Sequence, residues 1–190
     1  MNRIRIASLC AAVSLSALAI PSYTMPAFAE TTVQVGGAPM YPSKNIVENA
    51  VNSKDHTTLV AAVKAAGLVD TLAGPGPFTV FAPVNTAFAK LPAGTVDTLL
   101  KPENKSKLSA VLTYHVVPGK LSAADLQTKV KAGGGKATLK TAQGENLTVM
   151  EAGRRLEIVD AKGGKSFVTI ADVNQSNGVI HVVDTVLLPM

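Results

Sequence analysis

The sequence predicts an α+β fold, with helices in the first half of the domain and antiparallel strands in the second. Apolar residues recur at helical spacing from Asn45 to Leu72. After Gly133, short apolar runs alternate with glycine-bearing turns, which is typical of an antiparallel meander. The chain shows no repeated strand–helix–strand units, and this favours an α+β arrangement over a parallel α/β sheet.

The N-terminus has the composition of a cleavable signal peptide. Arg3 and Arg5 precede an apolar run from Ile6 to Ile20. The Ala27-Phe28-Ala29 segment then supplies the small residues that a signal peptidase recognises. A membrane anchor is the alternative, but the run is shorter than the roughly 20 residues of a spanning helix. Residues 1–29 are therefore predicted as a signal peptide cleaved after Ala29, leaving a secreted or periplasmic protein without a transmembrane segment.

The chain that remains after cleavage has neither thiols nor concentrated charge. Cys10, the only cysteine, lies in the leader, so the domain has no disulfide and no thiolate metal ligand. Loss of Arg3 and Arg5 leaves 16 of the 18 basic residues against 13 acidic ones and lowers the formal charge from +5 to +3. The lysines are scattered and aromatic residues are few, so we expect no nucleic-acid binding.

Residues 30–44 have the composition of a linker. Gly36, Gly37, Pro39 and Pro42 fall in this stretch, which has few apolar groups. A flexible N-terminal arm is predicted there. Residues 45–190 are predicted to form one domain, since about 145 residues suffice for a single core.

The first part of the domain is predicted to be helical. Two or three short helices lie between Asn45 and Leu72, with Ser53 and Asp55 where a cap belongs and Gly67 at a left-handed helix end. The Gly74-Pro75-Gly76-Pro77 segment ends this region.

Strands and helices then alternate over about fifty residues. Phe78 to Ala82 is predicted as a buried strand ended by Pro83. Asn85 is predicted to cap a short helix that begins at Thr86. The spacing predicts a longer helix from Pro102 to Leu112, a short strand over Tyr114-His115-Val116-Val117 and a small helix from Ser122 to Gln127. After the meander, the segment from Gly178 to Leu188 is too continuously apolar to alternate, which predicts a central strand buried on both faces.

Three segments together resemble the fasciclin domain family. They are TVFAPVNTAF at residues 79–88, YHVVPG at residues 114–119 and NGVIHVVD at residues 177–184. Their order and separation also match, and the resemblance extends from about Asn45 to Pro189. It implies a wedge of two small, mainly antiparallel sheets beside a cluster of short helices, used in extracellular adhesion and without catalytic activity.

The resemblance also implies roles for individual residues. The first and last motifs are largely structural, and the residues concerned are Phe81, Pro83, Asn85, Asn177, Gly178, His181 and Asp184. Tyr114 and His115 form a pair associated with adhesion. Asp172 and Val173 correspond to a pair associated with integrin contact in animal relatives. The residues that precede this pair, Ile170-Ala171, depart from the acidic and proline flanks found in those relatives, so we do not expect an integrin partner.

The histidines form no recognisable catalytic or metal pattern. His115 and His181 lie in apolar runs, where a histidine is usually a core residue with a hydrogen-bonded ring nitrogen. Pairing of His115 with Asp184 stays open. We expect no metal and no cofactor, because the sequence has no His-x-x-x-His, cysteine pair or His-x-Asp cluster. It also has no Gly-x-Ser-x-Gly elbow that would supply a nucleophile.

The sequence is compatible with three functions. The first is a non-enzymatic module that binds a cell-surface, matrix or envelope protein or glycan through loops around Tyr114, His115 and Asp172. The alternative is a carrier of a small lipid or glycan in the gap between the helices and the sheets. The third is a hydrolase that uses His115 with a carboxylate. We expect a monomer, since the sequence shows no heptad pattern, although an unpaired edge strand leaves assembly open.

Overall fold

The structure is a computed structural model that describes residues 32–190. The predicted signal peptide, residues 1–29, lies outside these described residues. Within residues 32–190, no helix is both long and apolar enough to cross a membrane.

Seven α-helices and nine strands account for most of the described chain. The helices are α1 Ile46–Ala50, α2 Thr57–Ala66, α3 Val69–Ala73, α4 Asn85–Ala89, α5 Thr95–Leu100, α6 Lys105–Tyr114 and α7 Ala123–Ala132. The strands are β1 Val33–Val35, β2 Ala38–Met40, β3 Phe78–Pro83, β4 Val116–Pro118, β5 Lys136–Lys140, β6 Asn146–Ala152, β7 Arg155–Val159, β8 Lys165–Gln175 and β9 Gly178–Val183.

Local sequence signals explain some of the helix ends. Asn45 caps α1 and forms a capping box with Glu48, which satisfies two backbone N–H groups. Gly67 ends α2 with a φ of 72°, as the sequence predicts. Ser122 caps α7, which runs five residues beyond the predicted end at Gln127. Helix α5 was missed by the sequence prediction, because it has only six residues, too few for the helical spacing of Val96, Leu99 and Leu100 to stand out.

Strands β3 to β9 form one ladder in the order β4-β3-β9-β8-β7-β6-β5. Strand β3 pairs with β9 in parallel, and every other pair is antiparallel. Residues 165–167 of β8 pair with β7, whereas residues 168–175 pair with β9 across two register shifts. The α+β fold is confirmed, and β8 is the strand shared by the two halves of the sheet.

Two clusters of buried apolar residues divide the core. One lies between the N-terminal helices and the β3–β9 part of the sheet and includes Leu59, Leu112 and Ile180. The other lies between α7 and the meander and includes Leu126 and Leu147. Strand β9 is buried along its whole length, so the prediction of a central strand is confirmed, although the strand ends at Val183 rather than Leu188.

The prediction of a flexible arm is wrong for residues 33–40. Strands β1 and β2 form a hairpin around Gly36 and Gly37, which have φ values of 60° and 74°. Paired left-handed residues are what a two-residue hairpin turn requires. Val35 and Met40 are each only 3% exposed and belong to the first core cluster. The glycines therefore form a tight turn between apolar strands, not a linker.

Candidate functional site

Tyr114 and His115 lie at the end of helix α6, not in a strand. Helix α6 ends at Tyr114, His115 is its C-cap residue, and β4 begins at Val116. The tyrosine ring is buried in the second core cluster. This packing of Tyr114 outweighs the preference of the Tyr-His-Val-Val segment for a strand. Tyr114 is 0% exposed and His115 3% exposed, so neither side chain lies at the surface where a partner would contact it.

The two nitrogens of His115 are both used to hold backbone. Nδ1 donates to the carbonyl of Val111 at 2.7 Å, and Nε2 accepts from the N–H of Leu187 at 3.0 Å. This pattern requires the neutral ring. Burial lowers the pKa of His115 to about 4, opposed in part by the Val111 carbonyl and Asp160. His115 therefore ties the C-terminal segment to α6 and has no nitrogen left for general-base work.

The pairing of His115 with Asp184, which the sequence leaves open, is not observed. Asp184 Oδ1 instead accepts from the Phe167 N–H at 3.0 Å and the Thr185 hydroxyl at 3.0 Å. Asp184 therefore links the end of β9 to β8. The family resemblance implies a structural role for Asp184, and these two bonds are compatible with that role.

The hydroxyl of Tyr114 has a comparable structural role. It donates to the carbonyl of Asn146 at 3.0 Å and accepts from the N–H of Ala161 at 2.9 Å. Burial raises the pKa of this hydroxyl, with the Ala161 N–H opposing the effect. Tyr114 thus joins helix α6 to the start of β6 and to the turn after β7.

Asp172 occupies an unusual backbone position at the surface. It has a φ of 57°, the only positive φ of a non-glycine residue in residues 32–190, and it lies at a register shift of β8. Its Oδ1 accepts from the N–H of Ala123 at 2.7 Å, in the first turn of α7. A carboxylate there satisfies a free N–H and is favoured by the helix dipole. Val173 differs from its neighbour, because it is buried in the first core cluster.

His181 lies behind Asp172 and holds the same region. Its Nδ1 accepts from the Asp172 N–H at 3.3 Å, and its Nε2 donates to the Leu121 carbonyl at 2.9 Å. The ring stacks on Phe81 at 5.7 Å between centroids. Burial lowers the pKa of His181, with the Leu121 carbonyl and Asp172 opposing it.

Thr79 also bonds to residues 119–123, the segment that we call the 119–123 loop. Its hydroxyl donates to the Gly119 carbonyl at 2.6 Å and accepts from the Leu121 N–H at 2.9 Å. Sequence reasoning missed this role. The available signal was a polar side chain inside an otherwise apolar strand, since Thr79 is fully buried.

The remaining motif residues are structural, but Asn85 acts on a different helix from the one predicted. Val84, not Asn85, is the N-cap of α4. Asn85 Oδ1 accepts from the N–H of Thr58, in the first turn of α2, and its Nδ2 donates to the Lys54 carbonyl. Pro83 is the last residue of β3, as predicted.

Asn177 joins the end of β8 to the helices, and Gly178 packs against β3. Asn177 accepts from the N–H of Ile46 and donates to the carbonyls of Leu72 and Gly74. A side chain at Gly178 would lie 2.1 Å from the carbonyl oxygen of Phe78, so only glycine fits against β3.

An apolar cavity of about 50 Å³ lies between the N-terminal helices, the β1–β2 hairpin and the sheet. Met40, Leu59, Val63 and Ile180 are among the residues that line it. Sites that hold drug-sized ligands measure roughly 300–1,000 Å³. The cavity is at the position predicted for a carrier, but its size gives no support for a bound lipid or glycan.

Comparison with known proteins agrees with this architecture. A sequence model of the fasciclin domain matches residues 54–189. The chain belongs to the fasciclin domain family. Fasciclin domains are adhesion-type modules, and the predicted resemblance is thereby confirmed.

Three bacterial proteins are among the relatives of this fasciclin protein. Protein sll1483 of Synechocystis sp. is 49% identical over 176 residues, covering 91% of this chain and 90% of the relative. The immunogenic protein MPB70 of Mycobacterium bovis is 39% identical, covering 74% of this chain and 66% of its own length. The cell surface glycolipoprotein MPB83 of the same species is 38% identical over 74% of this chain and 58% of its own length.

A solved structure shows the same fold. The FAS1 domain pair from the insect cell adhesion molecule fasciclin I superposes with a TM-score of 0.69, covering 84% of this chain and 58% of that chain. The sequence identity is 20%, so this match concerns the fold of the fasciclin domain alone.

Proposed function

We propose that this fasciclin domain is a non-enzymatic adhesion module that is exported and binds a cell-surface or envelope partner. Its contact region is the loop surface, which we define as Pro118, Lys120, Asp172 and Asn174. Pro118, Lys120 and Asn174 are exposed, and Asp172 is partly exposed. Tyr114 and His115 are buried, bond to other segments of the fold and do not contact the partner.

The observation that carries the proposal is the conformation of Asp172. A non-glycine residue at positive φ costs free energy and persists only where the surrounding contacts impose it. The contacts here are the hydrogen bonds with Ala123 and His181, both of which also fix the 119–123 loop. The result is a rigid, partly exposed carboxylate beside an ordered loop, which is a suitable arrangement for recognition.

Two further observations support the absence of catalysis and the export of the protein. Both nitrogens of His115 are occupied by backbone groups, which argues against the hydrolase hypothesis. A mycobacterial relative carries the name cell surface glycolipoprotein, which supports an extracytoplasmic location for this protein as well.

The test is attachment of the purified protein to isolated cell envelopes of the organism that produces it. Asp172→Asn retains an oxygen that can accept the Ala123 N–H but removes the charge. We expect it to lower attachment at least fivefold, and Lys120→Ala to lower it as well. Asp97→Asn makes the same chemical change on the exposed face of α5 and is the matched control, expected to stay within twofold of the parent.

Thermal unfolding of each variant shows whether the fold is retained. Attachment of Asp172→Asn at the level of Asp97→Asn, with both proteins folded, would exclude the loop surface as the contact region.

A further inference from the structure

The four strands β5 to β8 present a second surface, on the side facing away from the core. Side chains alternate across these strands, and Ala137, Leu139, Leu147, Val149 and Ile158 point inward to the second core cluster with Leu126 of α7. The intervening side chains form what we call the outer face. Its members are Lys136, Thr138, Lys140, Asn146, Thr148, Met150, Arg155, Glu157, Val159, Lys165, Phe167 and Thr169.

We propose that the outer face binds an anionic polysaccharide. The outer face is a different surface from the loop surface around Asp172. The proposal names the chemical class of a partner, which the loop surface does not define. It stands independently of that surface, since Asp172 lies at the second register shift of β8, in the part of the strand that pairs with β9.

Charge is the first reason for this choice of partner. The outer face carries four cations, at Lys136, Lys140, Arg155 and Lys165, and all four are exposed. Its one acidic side chain, Glu157, is 8% exposed and lies 2.8 Å from Lys165 Nζ. Glu157 is therefore buried and paired with Lys165. The other three cations have no acidic side chain opposite them on this face. A surface of one sign attracts a polyanion and raises its rate of association.

The register places hydroxyl groups between these cations. Thr138 is directly opposite Thr148, and the same row continues through Val159 to Lys165. The next row runs from Lys136 through Met150 and Glu157 to Phe167. With strands about 4.8 Å apart and alternate residues about 7 Å apart, Lys136 and Lys140 are separated by about 13 Å along β5. An extended polymer with anionic groups at intervals of several ångströms could contact both lysines and the threonines between them.

The same residues favour a polysaccharide over other polyanions and over a protein. Threonine hydroxyls both donate and accept, which suits sugar hydroxyl groups. Met150 is 37% exposed and Phe167 half-buried, which leaves little of the apolar and aromatic surface on which protein interfaces depend. Phe167 is the only aromatic member of the outer face, and base stacking in single-stranded nucleic acids requires several exposed rings.

The experiment measures binding of the purified full-length protein to alginate, a polymer of uronic acids, at 50 mM NaCl. Dextran is the uncharged polymer and duplex DNA the alternative polyanion. We expect micromolar or tighter binding to alginate, no binding to dextran and at least tenfold weaker binding to DNA. Equal binding to DNA would overturn the proposal by showing attraction to any polyanion.

Charge reversal locates the site. The double variant Lys136→Glu/Lys140→Glu is expected to weaken alginate binding at least tenfold. The double variant Lys101→Glu/Lys105→Glu makes the same charge change among the helices, at two exposed lysines that are also four positions apart in the sequence. It is expected to change binding less than threefold. Equal loss in the two variants would show that net charge, not the outer face, determines binding.

The hydroxyl groups are tested where salt screens the charges. At 200 mM NaCl, Thr138→Ala/Thr148→Ala is expected to weaken the remaining alginate binding at least threefold, and unchanged binding would overturn the role of the hydroxyls. Asp172→Asn is expected to bind alginate like the parent. If the loop surface fails its own test, alginate binding and its loss in the Lys136/Lys140 variant are still expected, so the two proposals succeed or fail separately.

Discussion

His115 and His181 each donate from one ring nitrogen and accept a backbone N–H at the other. Only a neutral imidazole can do both, because an imidazolium has two donors and no acceptor. Protonation of His115 would remove its bond with Leu187, and protonation of His181 would remove its bond with Asp172. Burial is the main cause of the lowered pKa in both residues.

The free energy of unfolding should therefore fall as the pH is lowered. For His115 the pKa is about 4 in the folded protein, against about 6.5 in the unfolded chain. Above pH 6.5 the ring is neutral in both states. Below it the unfolded chain takes up a proton that the folded protein does not, so stability is lost until about pH 4 and then levels off. The loss due to His115 is about 3 kcal/mol.

Urea unfolding of the parent and of His115→Gln at pH 7.5, 6, 5 and 4 measures this contribution. The variant is less stable at neutral pH, but its stability should decrease by about 3 kcal/mol less than that of the parent over this range. His181 titrates in both proteins and cancels in the comparison. Parallel pH dependences would show that His115 is not held neutral by the fold.

At the scale of the element, α2 depends on a residue that is distant in sequence. Its own N-cap residue, His56, makes no side-chain capping bond, and Asn85 supplies the acceptor for the Thr58 N–H instead. The sequence shows that Asn85 is a helix-capping type of residue. It does not show which helix is capped, because Asn85 and Thr58 are 27 positions apart and are brought together only by packing of α4 against α2.

We expect Asn85→Ala to destabilise α2 in particular. Loss of a capping side chain typically costs about 1 kcal/mol and up to about 2 kcal/mol. Hydrogen exchange should increase at the amides of α2 and stay unchanged in α4. Asn52→Ala is the control, since the exposed Asn52 side chain bonds to the nearby Glu48 carbonyl of α1 and not to α2. Faster exchange in α4 instead of α2 would contradict the cross-chain cap.

At the scale of the whole molecule, the N-terminal hairpin is part of the core. Asn49 joins it to α1, accepting from the Tyr41 N–H and donating to the Tyr41 carbonyl. The Gly36 carbonyl accepts from the Lys54 N–H. Because Val35 and Met40 are buried against the helices, the hairpin contributes to the stability of the entire domain.

Met40→Ala should lower the free energy of unfolding by about 2–5 kcal/mol, the range for removing a large buried aliphatic side chain. Gln34→Ala, at an exposed position of the same hairpin, should change it by less than about 0.5 kcal/mol. Chemical denaturation of both variants provides the measurement. Equal, small effects would mean that residues 33–40 are an arm that is not packed on the domain.

The class of the fold, most helices and strands, and the family can be predicted from local patterns in the sequence. These features depend on local patterns: the helical spacing before Leu72, the glycine turns after Gly133 and the three family motifs. Where those residues act depends on tertiary packing. Gly36 and Gly37 form the turn of a hairpin, α6 ends at Tyr114, and Asn85 caps α2. Thr79, Asp172 and His181 all bond to the 119–123 loop. Those outcomes depend on contacts between residues that are distant in sequence, such as Leu121 and His181, which are 60 positions apart, and local propensity carries no information about such contacts.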